Sequence, residues 1–458
     1  MRTKTLSKKT SFCQLVTPTT PRAHDFLSVG TRGVALVLIV ASSVAIALGQ
    51  SPDELSLDQA IARALQNHPL IQTQKARVDA FGAEITQARS GRFPQITAAA
   101  QGKLGLSGAA GGLGLQGLVA SPFYKNVAAS AHIYQNFFDF GRIDHATNAA
   151  RFLKEAAEGD AEAVGRTVTL GVQQAYLQAL QNQTLIRLDE RIIDERQLQY
   201  KKADALFQSG LRSKLDTRLS EYQLHQSEAK LAEHREALRR SFAELNRAMG
   251  LNSSQQYALK ELSIEPQPPG ETEGLVALAL KNRPEVRSLE LQLQAAREQL
   301  ALAKSERYPK LAGIWSGGFA RFSEYTLSQL MVAALGVGFP IFTGKRLEAI
   351  IREQEDSVKM VDAELANVKQ MVRLEVSQAV SDMARYQTIL PVLKQQIEVA
   401  QESLDLANAR YQSGLASYLD VLTAGTAHTE AQIRHTETLY DYKAADFRLQ
   451  FGLGTGGK

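Results

Sequence analysis

Few side chains in this chain are placed to do chemistry. The one cysteine, Cys13, precedes a hydrophobic segment near the N-terminus, so a processed chain would hold no thiol. Disulfides, thiolate metal sites and cysteine nucleophiles are then excluded together. His428 and His435 lie seven residues apart, on one face of a helix, without an acidic or cysteine partner arranged as a metal site. They read as solvated or lumen-facing histidines. Gly112, Gly114 and Gly117 match a dinucleotide fingerprint in spacing only. That fingerprint needs a strand before it and a helix after it, and a flexible loop between two strands fits better. No Ser-His-Asp arrangement and no paired carboxylates stand out. Catalytic residues, a cofactor and a metal site are therefore not expected. What remains is a motif that occurs twice, G-L-x-S-x-L-D, as Gly210 to Asp216 and as Gly414 to Asp420. Its chemistry is that of a tight turn between helices. Glycine accepts positive φ cheaply and ends one helix. Ser213 or Ser417 caps the next, and Asp216 or Asp420 in its first turn complements the helix dipole.

These turns need helices to join, and the whole chain is organised to supply them. Ala64-Leu65-Gln66-Asn67-His68-Pro69 recurs as Ala279-Leu280-Lys281-Asn282-Arg283-Pro284, and Arg92-Phe93-Pro94 as Arg307-Tyr308-Pro309, both at an offset of 215. Phe207-Gln208-Ser209-Gly210 recurs as Tyr411-Gln412-Ser413-Gly414 at an offset of 204. The chain is thus a duplication. The first repeat spans residues 48–264, a proline-rich linker spans 265–272, and the second repeat spans 273–458. Each repeat reads as a short helix, a helix of about 25 residues, two strands and two very long helices. The strands fall at about 95–105 and 127–140, then 310–322 and 329–342. The long helices fall at about 145–209 and 213–250, then 345–413 and 417–450.

Met331, Ala333, Leu335, Val337, Phe339 and Ile341 alternate with mostly small residues, as a strand between lipid and a lumen would. Phe93, Phe137, Phe138, Phe140, Tyr308, Phe339 and Phe342 mark the helix-side end of every strand, the pattern of an aromatic girdle at a membrane interface. An aromatic core cluster is the alternative. Tyr386, Leu390, Leu393, Ile397, Ala400, Leu404, Ala407 and Tyr411 step by four and three, a coiled-coil seam. Pro391 within it should kink the helix.

The formal charge of +4 is misleading. Six of the 52 basic residues and one of the 48 acidic ones lie in residues 1–33, which leaves 46 against 47. A near-neutral body argues against nucleic acid as a partner. The basic start, the apolar run from Val34 to about Leu48 and Ala45-Ile46-Ala47 read as a secretory signal over residues 1–47. The run is too short to span a bilayer, which takes about 20 residues. The absence of a cysteine after it argues against a lipid anchor. No later stretch is apolar enough for a membrane helix, so membrane residence would require a barrel. Four strands cannot close one. Two chains would give eight strands, whose interior side chains fill. Three chains would give twelve, the smallest of these with a lumen.

The duplicated plan, the RFP and RYP motifs, Phe140-Gly141-Arg142 and Phe342-Thr343-Gly344-Lys345 at the head of the long helices, and the twin glycine tips together resemble the TolC-type outer-membrane efflux factors. The resemblance covers residues 53 to 452. It implies a mostly α fold with a membrane β-barrel: four strands per chain in a shared twelve-stranded trimeric barrel, continued by a long coiled-coil α-helical barrel in the periplasm. It implies a homotrimer in outer-membrane lipid. This trimer passively conducts substrates brought by an inner-membrane pump (of RND, ABC or MFS type) through a periplasmic adaptor, in efflux or type I secretion. It places Gly210, Leu211, Ser213, Gly414, Leu415 and Ser417 at tips that contact the adaptor. Asp216, Asp420 and Tyr411 match residues near a periplasmic gate, and Arg212 is a candidate ion-pair partner there. Two positions depart from the family's best-known member. Thr423 stands where it has a second acid, and Ala416 where it has a gate arginine. A double ring of acids is not expected. A non-conducting periplasmic coiled-coil scaffold is the competing reading, and an outer-membrane enzyme built on a barrel is a third.

Overall fold

The computed structural model describes residues 54–106, 123–322 and 328–455. The secretory segment expected over 1–47 and the glycines at 112, 114 and 117 lie outside the described residues.

The first repeat runs β1 (Glu54–Leu55), α1 (Leu57–Asn67), α2 (Pro69–Ser90), β2 (Gln95–Leu106), β3 (Phe123–Phe138), α3 (Arg142–Gln208) and α4 (Lys214–Ala248). The second runs β4 (Ala258–Leu259), α5 (Thr272–Asn282), α6 (Pro284–Ser305), β5 (Lys310–Phe322), β6 (Ser328–Gly338), α7 (Arg346–Gln412) and α8 (Tyr418–Gly452). Helix lengths agree pairwise at 11, 22, 67 and 35 residues. Local sequence explains the joints. Pro69 and Pro284 hold His68 and Arg283 extended, which ends α1 and α5, and each proline then sits at the first position of the next helix, where its missing N–H costs nothing.

β2, β3, β5 and β6 form one antiparallel sheet in that order, with the two repeats meeting at β3–β5. Ile96, Ile133, Trp315 and Ala333 lie in one row, and Thr97, His132, Ser316 and Val332 in the next. Alternate rows face opposite ways. One face therefore carries Ile96, Ile133, Trp315, Phe319, Met331 and Leu335, and the other Thr97, Ser130, His132, Tyr134 and Ser316. β2 and β6 are the edge strands within the chain.

Three strand ends differ from expectation, the first being the start of β3 at Phe123 rather than near 127. β6 stops at Gly338 rather than near 342, because Pro340 has no N–H to give the ladder. β3 stops at Phe138 rather than 140, after a bulge at Asn136/Phe138. The next turn explains this. Phe140 (φ 55) and Gly141 (φ 82) take left-handed conformations, as do Gly344 (φ 60) and Lys345 (φ 67) 204 residues later. Two successive left-handed residues turn the chain from each strand pair into its long helix.

The helices pack as the seam requires. Leu390, Leu393, Leu404 and Tyr411 are buried on α7, while Tyr386, Ile397, Ala400 and Ala407 are partly buried. The helix runs unbroken through Pro391, leaving only the Gln387 carbonyl without its helical donor. Each repeat has its own core, with Ala64, Val172 and Leu245 in the first matched by Ala279, Val376 and Leu449 in the second. Tyr176, fully buried in the first, donates to the carbonyl of Leu55 at 2.9 Å or that of Lys260 at 2.8 Å, its single O–H lying within reach of both. Burial pushes its hydroxyl up to about 12, so it remains a donor. At about 1.5 Å per residue, the 67 residues of α3 carry the chain roughly 100 Å from the sheet.

Candidate functional site: the two hairpin tips

Both long-helix pairs end in the same local structure. α3 closes on Gly210 (φ 73), with Leu211 N–H donating to the Leu206 carbonyl at 2.9 Å. α7 closes on Gly414 (φ 83), with Leu415 N–H donating to the Arg410 carbonyl at 2.8 Å. These are the glycine-terminated helix ends that the repeated motif implies. Ser213 Oγ then accepts from Leu215 N–H at 3.2 Å and starts α4.

The two aspartates of the twin motif do different work. At the second tip, the backbone N–H and hydroxyl of Ser417 both donate to Asp420, each at 2.9 Å. Those bonds hold the Asp420 carboxyl below its ordinary value, the backbone bond contributing most. At the first tip, Asp216 faces the other hairpin instead and accepts from the Tyr411 hydroxyl at 2.9 Å. Arg212 donates to the Tyr411 carbonyl and lies 4.4 Å from the centre of the Tyr411 ring. Tyr418 packs edge-on against the same ring at 5.6 Å. Tyr411 is thus buried between an acid, a cation and a second aromatic. Its hydroxyl is pushed up first by burial and then by the Asp216 bond, so it stays protonated and donating.

Of the expected gate residues, the structure brings Tyr411, Asp216 and Arg212 together and leaves Asp420 on its own helix cap. Within the chain Arg212 serves Tyr411 and forms no ion pair with Asp420 among the described residues. Tyr418 is a participant that pattern reading missed. The four-three spacing could not mark it, since the non-helical turn between Gln412 and Tyr418 interrupts the helical register; the one hint was a large aromatic opening the helix directly after the tip. Leu211, Leu215, Leu415 and Leu419 stand out at the tips with 60–73% exposure.

The other expected positions are also located. Phe93, Phe137, Phe138, Phe140, Tyr308, Phe339 and Phe342 are all exposed in the single chain, at the sheet end nearest the helices. Phe140 stacks on Tyr308 at 5.2 Å and meets Phe138 edge-on at 4.8 Å. His428 is buried against Gln432, not solvated, because the helix face it occupies packs inward. His435 is partly buried, which lowers its pKa. Among the described residues no three His, Cys, Asp or Glu converge as a metal site, and no helix is long and apolar enough to cross a membrane.

A long antiparallel helical body, an open four-stranded sheet with one apolar face and aligned hairpin tips define a class of membrane channel proteins. Comparison with known proteins identifies that class. The family model described as outer membrane efflux protein matches residues 60–251 and 275–455, one segment in each repeat. The chain belongs to this family. It is 23% identical over 409 residues to nodulation protein T of Rhizobium leguminosarum bv. trifolii, covering 84% of this chain and 82% of that one. It is 25% identical over 331 residues to the toluene efflux pump outer membrane protein TtgI of Pseudomonas putida, covering 69% and 68%. Among solved structures, the outer membrane protein VceC of Vibrio cholerae superposes with a TM-score of 0.74 at 20% identity, covering 88% of this chain and 97% of that one. The fold is that of these proteins, and the chain is an outer-membrane efflux channel whose helical part lies in the periplasm.

Proposed function

We propose that three copies of the chain form one conduit, closed at rest by the Tyr411 cluster and opened when the two hairpins of each copy part. The two edge strands support the trimer. An unpaired strand edge in hydrocarbon leaves polar backbone groups unsatisfied, so β2 of one copy pairs with β6 of the next. Three copies then give twelve strands. The apolar sheet face meets lipid, the polar face lines the lumen, and the exposed aromatics lie at the bilayer interface.

The observation that carries the gate is the bond from Tyr411 to Asp216, which ties α7 to the start of α4 across 195 positions of sequence. Gly210 and Gly414 turn the chain at the tips. Leu211, Leu215, Leu415 and Leu419 offer apolar knobs there, and with Ser213 and Ser417 they form the surface on which a periplasmic adaptor docks. An inner-membrane pump supplies the substrate, and the chain carries out no chemical step. Residues 1–47 direct secretion, and residues 48–264 and 273–458 are the two repeats.

The test is single-channel recording of detergent-extracted protein in planar bilayers, wild type beside Asp216→Ala. Small currents that grow in the variant support the gate. Currents indifferent to the variant keep the channel and remove this cluster from its gate. A protein that is soluble without detergent and carries no current leaves only a periplasmic scaffold.

A further inference from the structure

The tips are not the only contact between the two hairpins. Fourteen residues before Gly210, roughly 20 Å along the helix, Arg196 of α3 is directed at α8 and is only 5% exposed. Its guanidinium donates to Gln199 Oε1 at 3.0 Å and to Thr429 Oγ1 at 3.4 Å. Both acceptors are neutral, and no carboxylate pairs with Arg196 among the described residues. Its guanidinium lies directly against Gly425, in space that a side chain at that position would contest. A methyl carbon there would fall 2.7 Å from Nη1 and 3.2 Å from Nη2. Burial, the dominant influence, lowers its pKa, with Tyr418 and Glu195 opposing more weakly. Arginine is almost never buried unpaired, since the lost hydration is not returned.

We propose that Arg196 is a positioning residue for the gate: a cation held without a counter-charge between α3 and α8, whose return to water when the hairpins part offsets the cost of breaking the Tyr411 contacts. The inference rests on the reading of the tips as a gate. The Tyr411 cluster is the latch, and Arg196 is a spring compressed behind it. Gly425 is the seat that lets the spring be compressed.

A latch and a spring predict opposite signs. Arg196→Met keeps the length and apolar stem and removes the charge. Removing the charge removes its desolvation cost from the packed state, so the open probability should fall about tenfold. Arg196→Lys keeps the charge and should stay within about threefold of wild type. Gly425→Ala displaces the guanidinium from its seat and should raise the open probability. The recordings are made in wild type and in a Tyr411→Phe background, where openings are frequent enough to count, with thermal unfolding of each variant to establish that it is folded. A rise in open probability for folded Arg196→Met would make Arg196 a second latch and overturn the proposal. No difference between Met and Lys would overturn it too. If Tyr411→Phe alone leaves conductance unchanged, the gate reading fails first, and the spring with it.

Discussion

Tyr411→Phe removes one oxygen and little else. The ring keeps its edge contact with Tyr418 at 5.6 Å and its place under Arg212 at 4.4 Å. What is lost is the 2.9 Å bond to Asp216. A hydrogen bond to a charged group is worth about 1.5–3 kcal/mol, and less where water can replace the donor. Asp216 is partly exposed, so about 1 kcal/mol per chain is the sensible figure. In a trimer whose three latches release together, that amounts to ~3 kcal/mol, a shift toward the open state on the order of a hundredfold. Single-channel recording reads this as open probability. Urea unfolding should show a loss of only about 1 kcal/mol per chain, since the rest of the packing is untouched. A double-mutant cycle sharpens the test: once Tyr411→Phe is made, Asp216→Ala should add little. Fully additive effects from the two substitutions would refute the reasoning, because residues that act only through one another cannot contribute independently.

The remaining predictions concern the tip cap and one close approach. Asp420 is held below its ordinary 3.8 by Ser417. A carboxyl depressed in the folded state contributes stability above its unfolded value and loses it as pH falls through the folded one. The first turn of α8 should therefore fray in the acid range below about 4, seen as faster amide exchange at that turn, and Asp420→Asn should abolish this pH dependence. Gly250 and Gly210 share a left-handed φ (72 and 73) but not their surroundings. A methyl group at Gly250 would meet the His68 backbone at 2.7 Å, whereas at Gly210 nothing lies within 4 Å. Gly250→Ala should cost about 2–4 kcal/mol in chemical unfolding, and Gly210→Ala only about 1–2.

Much of this protein is legible along the chain because its dominant interactions are local or periodic. The four-three spacing from Tyr386 to Tyr411 defines a buried stripe, and the same side chains are the buried or half-buried ones on α7. The alternation around Met331 to Val337 defines a two-faced strand, and the register bears it out. Pro69 and Pro284 dictate the elbows before α2 and α6 by covalent geometry alone. Even the early end of β6 was available in principle, since Pro340 cannot donate to a ladder.

Where side chains meet across helices, the pattern is silent. Asp216 and Asp420 sit in the same seven-residue motif, yet one is consumed by its own cap and the other bonds to Tyr411. Nothing local distinguishes them. The choice depends on which helix crosses above each turn, set by the packing of α3 and α4 against α7 and α8. His428 reads from its spacing as solvated or lumen-facing, yet within the chain it is buried, for the same reason. Arg196 is one charge among many in a helix rich in them, and only the approach of Gly425, 229 positions later, makes it a cation without a counter-charge. Backbone hydrogen bonding and side-chain periodicity repeat within a few residues and so can be read from a single chain. Desolvation and pairing of charge depend on distances between elements, and those exist only once the helices have packed.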